Sequence, residues 1–334
     1  MPRISAIIIT FNRANFLKKA IESVLSQTYK DFELIILDNS SSDDTEEVVK
    51  GFNDKRIRYI KHPLLTISQA RNLGLKKARG EFIGFLDDDD EWLPNKLEAQ
   101  LQVFENKNQN CGLVYGGFVR VDDFGRELGF HRPRLKGNVF INLLSQKDPF
   151  TGSASNPILR KSVFRVIGEY NEKVLVGEDF ELYLRLAEKF EVDFTPEIVF
   201  KIRSHSGPRL GDKIKEAADL EILILRNYKD FFEKNSKLKS QFLQKIGGKF
   251  CRLGHLKEGW LYIKEAIKTY PLNLIAYFQY GISFCGILFY QKTHGFYQGF
   301  RSLIKNYLSR FTVLLELLLL IIIHYPWFAR CCGL

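Results

Sequence analysis

Four consecutive aspartates, Asp87–Asp90, directly follow the apolar run EFIGFL of residues 81–86. Adjacent carboxylates raise one another's pKa values, and a bound divalent cation removes that repulsion. Carboxylate oxygens select hard cations such as Mg²⁺ or Mn²⁺, which commonly bridge to substrate phosphates. The aspartates therefore indicate a metal-assisted phosphate site, with a solvated acidic loop as the alternative. An EF-hand is excluded, because its spaced aspartates, glycine and distal glutamate are missing.

Another carboxylate, Asp38, follows the apolar run FELIIL of residues 32–37. A carboxylate at the end of such a strand can accept hydrogen bonds from a ribose or a base N–H. The chain lacks a GxGxxG loop after its first apolar run, where Phe11-Asn12-Arg13 stands, and it lacks a GxxxxGK motif. A dehydrogenase and a P-loop enzyme are therefore disfavoured. A bound diphosphate would instead be neutralised by a metal ion and basic side chains.

Short apolar runs alternate with amphipathic segments in the N-terminal part of the chain. The runs predicted as buried strands are Ile4–Thr10, Phe32–Leu37 and Glu81–Leu86, and Ile57–Ile60 is predicted as a short strand. This alternation predicts an α/β fold with an open, largely parallel sheet flanked by helices. Ligands bind at the carboxyl ends of the strands in such sheets. The polar tails after three of the strands, at 10–13, 38–40 and 87–90, should therefore share one rim.

The net charge of +10 belongs entirely to the C-terminal third. Residues 1–212 carry 31 basic and 31 acidic residues, whereas residues 213–334 carry 18 and 8. We therefore predict two domains with these bounds, the second basic and α-helical. No zinc-finger spacing or RRM-type motif supports nucleic-acid binding. The five cysteines form no CxxC pair, and the N-terminus lacks a signal-peptide pattern, which favours a cytoplasmic protein.

The apolar run FTVLLELLLLIII of residues 311–323 precedes interface-type aromatic residues. It is shorter than the roughly 20 residues of a membrane-spanning helix, and it contains Glu316. With basic residues before it, the segment 311–328 favours a helix lying on an anionic membrane surface. This would place the protein on the inner face of the cell membrane. A homo-oligomer helix is one alternative, and a non-catalytic membrane-surface binding protein is another.

Four segments together resemble the family 2 glycosyltransferases, which have the GT-A fold and use nucleotide-sugar donors with inversion. The matching segments are ISAIIITFNR at 4–13, SVLSQTYKDFELIILDNSSSDDT at 23–45, ARNLGLKKARGEFIGFLDDDDEWLPNKLE at 70–98 and IGEYNEKVLVGEDFELYLRLA at 167–187. The resemblance covers about residues 1–205. It implies a GT-A, Rossmann-like mixed sheet that is mostly parallel. It also implies a divalent cation and an Asp-x-Asp motif, here Asp87-Asp88-Asp89.

The resemblance also implies a role for each matching residue. Those expected to contact the nucleotide-sugar are Thr10, Asn12, Arg13, Asp38, Arg71, Asp87 and Asp88. Among them, Asp38 would contact the base and Arg71 would lie close to Asp38. Asp87 would contact the ribose or the sugar. Asp89 would hold the metal, and His205 of the Arg203-Ser204-His205 motif would be a further metal ligand or a phosphate contact. The Glu178-Asp179 pair would be catalytic, with Asp179 as the base.

An inverting displacement needs the chemistry that these residues offer. A carboxylate must take the proton of the acceptor hydroxyl, and a cation must absorb charge on the leaving diphosphate. Asp179 has a simpler interpretation as a helix N-terminal carboxylate favoured by the helix dipole. His205 could equally be a loop histidine, and Arg71 a solvated helix residue. The sequence thus predicts sugar transfer to a glycan or lipid-linked acceptor, with a metal-dependent nucleotidyltransferase as the alternative.

Overall fold

The structure is a computed structural model that describes residues 1–107, 110–145, 152–204 and 213–283. The chain divides into two compact units, Met1–Asp212 and Lys213–Leu334.

The first unit alternates strands and helices through its N-terminal half. Its strands are β1 (Ile4–Thr10), β2 (Phe32–Asp38), β3 (Ile57–Lys61), β4 (Phe82–Asp87), β5 (Glu91–Trp92), β6 (Cys111–Val121), β7 (Glu127–His131), β8 (Ile158–Arg160) and β9 (Glu191–Arg203). Its α-helices are α1 (Ala14–Leu25), α2 (Thr45–Lys50), α3 (Ile67–Lys77), α4 (Lys96–Glu105), α5 (Phe140–Ser145), α6 (Phe164–Ile167) and α7 (Glu178–Lys189). The predicted strands at the four apolar runs are confirmed.

The strands form one mixed sheet in the order β3-β2-β1-β4-β8-β6-β9-β5, with β7 pairing with β6. The strands β3, β2, β1 and β4 are all parallel, in register from Ile4 opposite Phe32 to Thr10 opposite Asp38. Strand β8 is antiparallel to β4 and β6, while β6 and β9 run parallel. The parallel half therefore places the polar tails of β1, β2 and β4 on one rim, as predicted.

Burial explains why the central parallel strands β1, β2 and β4 are mostly apolar. All seven residues of β2 are buried, because helices cover both faces of a parallel sheet. Helix α1 adds Leu17, Ile21 and Val24 to the core cluster that contains β1 and β4. Gly80, just before β4, lies against the backbone of Ile4 and Ser5, where a Cβ atom would clash. This close approach fixes where β4 begins and hence where its aspartates fall.

The second unit is α-helical over its described part. Its helices are α8 (Ile214–Asn227), α9 (Lys229–Lys234), α10 (Ser236–Arg252), α11 (Leu256–Thr269) and α12 (Leu274–Ser283). Helices α10 and α11 approach closely at Gly247 and Gly259, where each glycine lies against the backbone of the other helix. Among the described residues, no helix is long and apolar enough to cross a membrane. The predicted helix at 311–328 lies outside the described residues.

Candidate active site

The acidic loop, residues 87–90, begins at the end of β4 and turns through a hydrogen bond from the Asp90 amide to the Asp87 carbonyl at 3.0 Å. Asp90 is buried and points inward. Its carboxylate accepts hydrogen bonds from Ser155 Oγ at 2.6 Å, from Ser153 Oγ at 3.1 Å and from the Arg203 amide at 3.0 Å. Asp90 therefore fixes the loop against β9 and the segment before β8, which leaves the other three aspartates to face the rim.

Asp88 joins the ends of β4 and β1. Its carboxylate accepts hydrogen bonds from Thr10 Oγ1 at 2.8 Å and from Arg13 Nη1 at 3.0 Å. The same Arg13 nitrogen lies 2.7 Å from Asp89 Oδ2. Burial raises the pKa of Asp88 to about 6, although Arg13 opposes that shift. The structure thus brings four predicted site residues together, and Thr10 and Arg13 contact aspartates of the loop.

The tails of β1 and β2 are tied together by Asn12, whose φ of 52° lies in the left-handed region that asparagine tolerates. Its amide donates to Ser41 Oγ at 2.9 Å, and its Oδ1 accepts from the Ser42 amide at 2.8 Å. Asp38 is fully buried, and its carboxylate accepts from the Ser41 amide at 2.7 Å and from the Tyr59 hydroxyl. One oxygen of Asp38 thus holds the loop after β2 and the other holds Tyr59 of β3, and contact with a base stays a prediction.

Arg71 of α3 connects the acidic loop to a distant part of the chain. Its side chain is only 5% exposed, which excludes the solvated-residue interpretation. Its Nη1 lies 2.7 Å from Glu178 Oε1, an ion pair whose angle is too poor for a hydrogen bond. Its Nη2 lies 3.6 Å from Asp87 Oδ1, and the rings of Phe85 and Tyr170 flank the guanidinium. The buried Arg71 guanidinium therefore lies between Asp87 and Glu178 and holds both carboxylates.

Glu178 and Asp179 form the first turn of α7, after Gly177 with a left-handed φ of 76°. The positive end of the helix dipole favours carboxylates there. Burial raises the pKa of Glu178, and Arg71 opposes that shift. Asp179 is half-buried, and its charge acts on Arg71 and Asp87. Glu178 is paired with Arg71, and the role of Asp179 as the base stays a prediction.

The carboxylates of the acidic loop are the type of donor that a hard divalent cation takes. Partial removal from water raises the pKa of Asp87; Arg71 opposes this shift, and the charge of Asp89 adds to it. A cation would relieve this accumulation of negative charge, and carboxylate oxygens suit Mg²⁺ or Mn²⁺. In the described part of the chain, no group of three His, Cys, Asp or Glu side chains is placed to hold a metal ion. His205 lies outside the described residues.

Some residues of the site were not singled out for it from the sequence. Arg203 donates from Nε to the Asp89 carbonyl at 3.2 Å and from Nη2 to Glu91 Oε1 at 2.7 Å, so it shapes the acidic loop. Ser153 Oγ also lies 3.0 Å from Asp87 Oδ2, so its single hydroxyl proton can be donated to Asp87 or to Asp90. The Arg-Ser-His motif pointed to the neighbourhood of Arg203, but no local pattern marks Ser153 or Ser155. Trp92 is a buried packing residue whose Nε1 donates to the Ser155 carbonyl at 2.8 Å.

Comparison with known proteins identifies the family to which the chain belongs. The model of Glycosyl transferase family 2 matches residues 5–168. The Escherichia coli UDP-Glc:alpha-D-GlcNAc-diphosphoundecaprenol beta-1,3-glucosyltransferase WfaP is 41% identical over 219 residues, which are 65% of this chain and 83% of WfaP. A Campylobacter jejuni GalNAc(5)-diNAcBac-PP-undecaprenol beta-1,3-glucosyltransferase is 42% identical over 120 residues, 35% of this chain and 38% of that enzyme. An uncharacterized glycosyltransferase of Rickettsia felis is 31% identical over 61% of this chain, but the match spans only 35% of its length.

Solved structures support the same fold. The structure of S. aureus TarS 1–349 superposes with a TM-score of 0.59 at 16% identity and covers 90% of this chain and 92% of TarS 1–349. The mannosyltransferase PcManGT from Pyrobaculum calidifontis, in complex with GDP-Man and Mn²⁺, gives a TM-score of 0.55 at 16% identity over 80% of this chain and 75% of its own. The fold is the GT-A fold, as predicted. The chain belongs to glycosyltransferase family 2, which confirms the predicted family and its class as an enzyme.

Proposed function

We propose that this protein transfers a sugar, with inversion, from a nucleoside-diphospho-sugar to a hydroxyl of a lipid-linked glycan. The observation that carries the proposal is the position of Arg71 between Asp87 and Glu178. It brings the acidic loop and the start of α7 to the same side chain. The names of the E. coli and C. jejuni relatives, which describe glucosyl transfer to diphosphoundecaprenol-linked sugars, support the acceptor class.

In the proposed reaction, Asp179 accepts the proton of the acceptor hydroxyl. The hydroxyl oxygen bonds to the anomeric carbon as the bond from that carbon to the diphosphate breaks on the opposite face. General-base catalysis of this kind contributes about 10²–10⁴-fold. Asp87 contacts the ribose or sugar of the donor, and Arg71 keeps Asp87 and Glu178 in place. The other donor contacts are assigned to Thr10, Asn12, Arg13, Asp38 and Asp88.

A divalent cation is part of the proposal. Asp89 would hold it, with His205 as a further ligand, and the bound ion would neutralise charge on the leaving diphosphate. Asp89 is assigned this role because it is less buried than Asp90, whose carboxylate is used internally. The cation would compete with Arg13, which lies 2.7 Å from Asp89 Oδ2. PcManGT, which has the same fold, was solved with Mn²⁺.

The proposal assigns catalysis to residues 1–212 and attachment to residues 213–334. Association with the cytoplasmic face of the membrane, through the basic second unit and the segment 311–328, would bring the enzyme to a lipid-linked acceptor. Removal of residues 300–334 should then move the protein from the membrane to the soluble fraction. Unchanged sedimentation would contradict this attachment and favour an oligomer helix.

A screen of UDP-, GDP- and dTDP-sugars with Mn²⁺ or Mg²⁺ tests the donor. One donor class should raise the melting temperature in the presence of metal, and its turnover should release a nucleoside diphosphate. Release of pyrophosphate would overturn the proposal in favour of a nucleotidyltransferase. The Asp89→Ala variant should lose the metal-dependent shift and the transfer. The control Asp31→Ala removes an exposed carboxylate outside the site and should keep both.

A further inference from the structure

The hairpin of β6 and β7, residues 118–136, exposes large apolar side chains within the first unit. Phe124 at its turn is 85% exposed, and Leu128 and Phe130 of β7 are 60% and 65% exposed. Leu128 and Phe130 are two positions apart in a strand, so they share one face. Single exposed apolar residues are ordinary, but a cluster of this kind marks an interaction surface.

Arginine side chains accompany these aromatic rings. The Arg126 guanidinium lies 5.2 Å from the centre of the Phe124 ring, and that of Arg132 lies 5.7 Å from the Phe130 ring. The hairpin carries the basic residues Arg120, Arg126, Arg132, Arg134 and Lys136 against the acidic residues Asp122, Asp123 and Glu127. Asp122 is paired with Arg126 at 2.7 Å. The surface is therefore both apolar and basic, with Arg132, Arg134 and Lys136 following Phe130 without an intervening carboxylate.

The turn of the hairpin has a defined geometry. Asp122 Oδ1 accepts hydrogen bonds from the amides of Phe124 and Arg126, both at 2.9 Å, and Gly125 adopts a φ of 82°. The Gly125 amide donates to the Asp122 carbonyl at 3.0 Å. Phe124 is thus presented on an ordered turn, so little conformational entropy is lost when a partner covers it.

The turn is also joined to the acidic loop. Arg203 donates from Nη1 to the carbonyls of Asp122 and Asp123, at 3.1 and 3.3 Å, and from Nε to the carbonyl of Asp89 at 3.2 Å. Whatever binds the turn therefore lies beside the rim of the active site.

We propose that the hairpin of residues 118–136 docks on an anionic lipid surface. Phe124, Leu128 and Phe130 enter the headgroup boundary, and the arginines beside them bind lipid phosphates. A second copy of the chain fits this surface less well, because both partners would bring the same surplus of basic residues to the interface. The inference extends the membrane association proposed above from the second unit to the first. The test of this inference measures lipid binding and needs no transfer reaction. Lipid docking by the hairpin and the proposed sugar transfer can therefore fail separately.

Sedimentation of the full-length protein with vesicles tests this proposal. The vesicles contain phosphatidylcholine with or without phosphatidylglycerol. The variant F124S/R126Q removes one exposed apolar side chain and one arginine from the hairpin. The matched control V166S/R165Q removes the same two kinds of side chain from exposed positions of α6. Every variant keeps residues 311–328, so any contribution of that segment is common to all.

Wild type and control should bind the phosphatidylglycerol vesicles equally, and F124S/R126Q should bind about tenfold more weakly or worse, at an unchanged melting temperature. The single variant R132Q should weaken binding about fivefold. In an otherwise wild-type chain, F124W should add tryptophan fluorescence that brominated lipids quench. Equal binding by F124S/R126Q and wild type would overturn the proposal. So would a change of oligomeric state in place of a change in lipid binding, which would assign the surface to a second copy.

Discussion

Glu33 and the aspartates of the acidic loop lie at opposite ends of the same parallel strands. Near the amino ends, Glu33 accepts hydrogen bonds from Ser5 Oγ and the Arg79 amide, both at 2.7 Å, and forms an ion pair with Arg58. Burial alone would raise the pKa of Glu33, but these partners lower it overall. At the carboxyl ends, burial raises the pKa values of Asp87, Asp88 and Asp90 despite the nearby arginines.

The difference separates two uses of a buried carboxylate in one fold. At the amino ends, the protein supplies all the compensation that Glu33 needs, so Glu33 stabilises the sheet. At the carboxyl ends, the described residues include more carboxylates than the cations Arg13 and Arg71 that pair with them. Carboxylates whose pKa values are raised in this way are typical of functional sites. The two ends should therefore respond in opposite ways to the loss of a carboxylate, one in stability and the other in activity.

The largest expected effect is that of Asp179→Asn. The substitution keeps the shape of the side chain and removes the base, so kcat should fall about 10²–10⁴-fold. The melting temperature should stay close to that of the wild type, because Asn keeps an acceptor for the Phe180 amide that Asp179 binds at 2.8 Å. Initial rates of nucleoside diphosphate release, with donor and acceptor saturating, measure the loss.

The matched control for Asp179→Asn is Glu188→Gln, which alters an exposed carboxylate of the same helix α7. It should leave the rate unchanged. A folded Asp179→Asn protein that transfers sugar at nearly the wild-type rate would remove Asp179 from the site and weaken the contrast between the two ends of the sheet.

The next effect concerns Arg71, whose guanidinium holds the carboxyl-end site together. Arg71→Met leaves Glu178 and Asp87 without their shared buried partner, and loss of one member of a buried ion pair costs about 3–5 kcal/mol. Urea unfolding should show this loss. The additional substitution Glu178→Gln should recover part of it, because the orphaned charge is then gone. Lys77→Met, at an exposed position of the same helix α3, should have no effect. Equal destabilisation in the single and double variants would show that Arg71 acts by packing alone.

Much of this architecture could be predicted from the sequence because its signals are local. The runs Ile4–Thr10 and Phe32–Leu37 are almost entirely apolar, with Ser5, Thr10 and Glu33 as the exceptions, as is typical of strands covered on both faces. The alternation of strands and helices along the chain predicts a parallel sheet, whose strands end at one shared rim. Four consecutive aspartates at the end of a strand were enough to predict a binding site there.

The rest depends on contacts between distant segments. Nothing in the sequence near Asp90 tells that it turns inward to Ser155 while Asp89 stays at the rim. Arg71 resembles any basic residue of a helix until Glu178 is placed 2.7 Å from it. The exposed face of β7 could not be foreseen either, because its pairing with β6 decides which side chains point outward.

The smallest effect is expected at Glu33, and it should depend on pH. Because the folded pKa of Glu33 is lowered, its contribution is complete above the unfolded pKa of about 4.3 and is lost as the pH falls through the folded value. Glu33→Gln should cost about 1–3 kcal/mol at neutral pH. The difference in unfolding free energy between wild type and Glu33→Gln, measured by urea unfolding, should become smaller toward acidic pH. The transfer rate at neutral pH should be unchanged. Glu22→Gln, at an exposed position of α1, should show neither effect. A loss of transfer in a stable Glu33→Gln protein would mean that both ends of the strands serve the reaction.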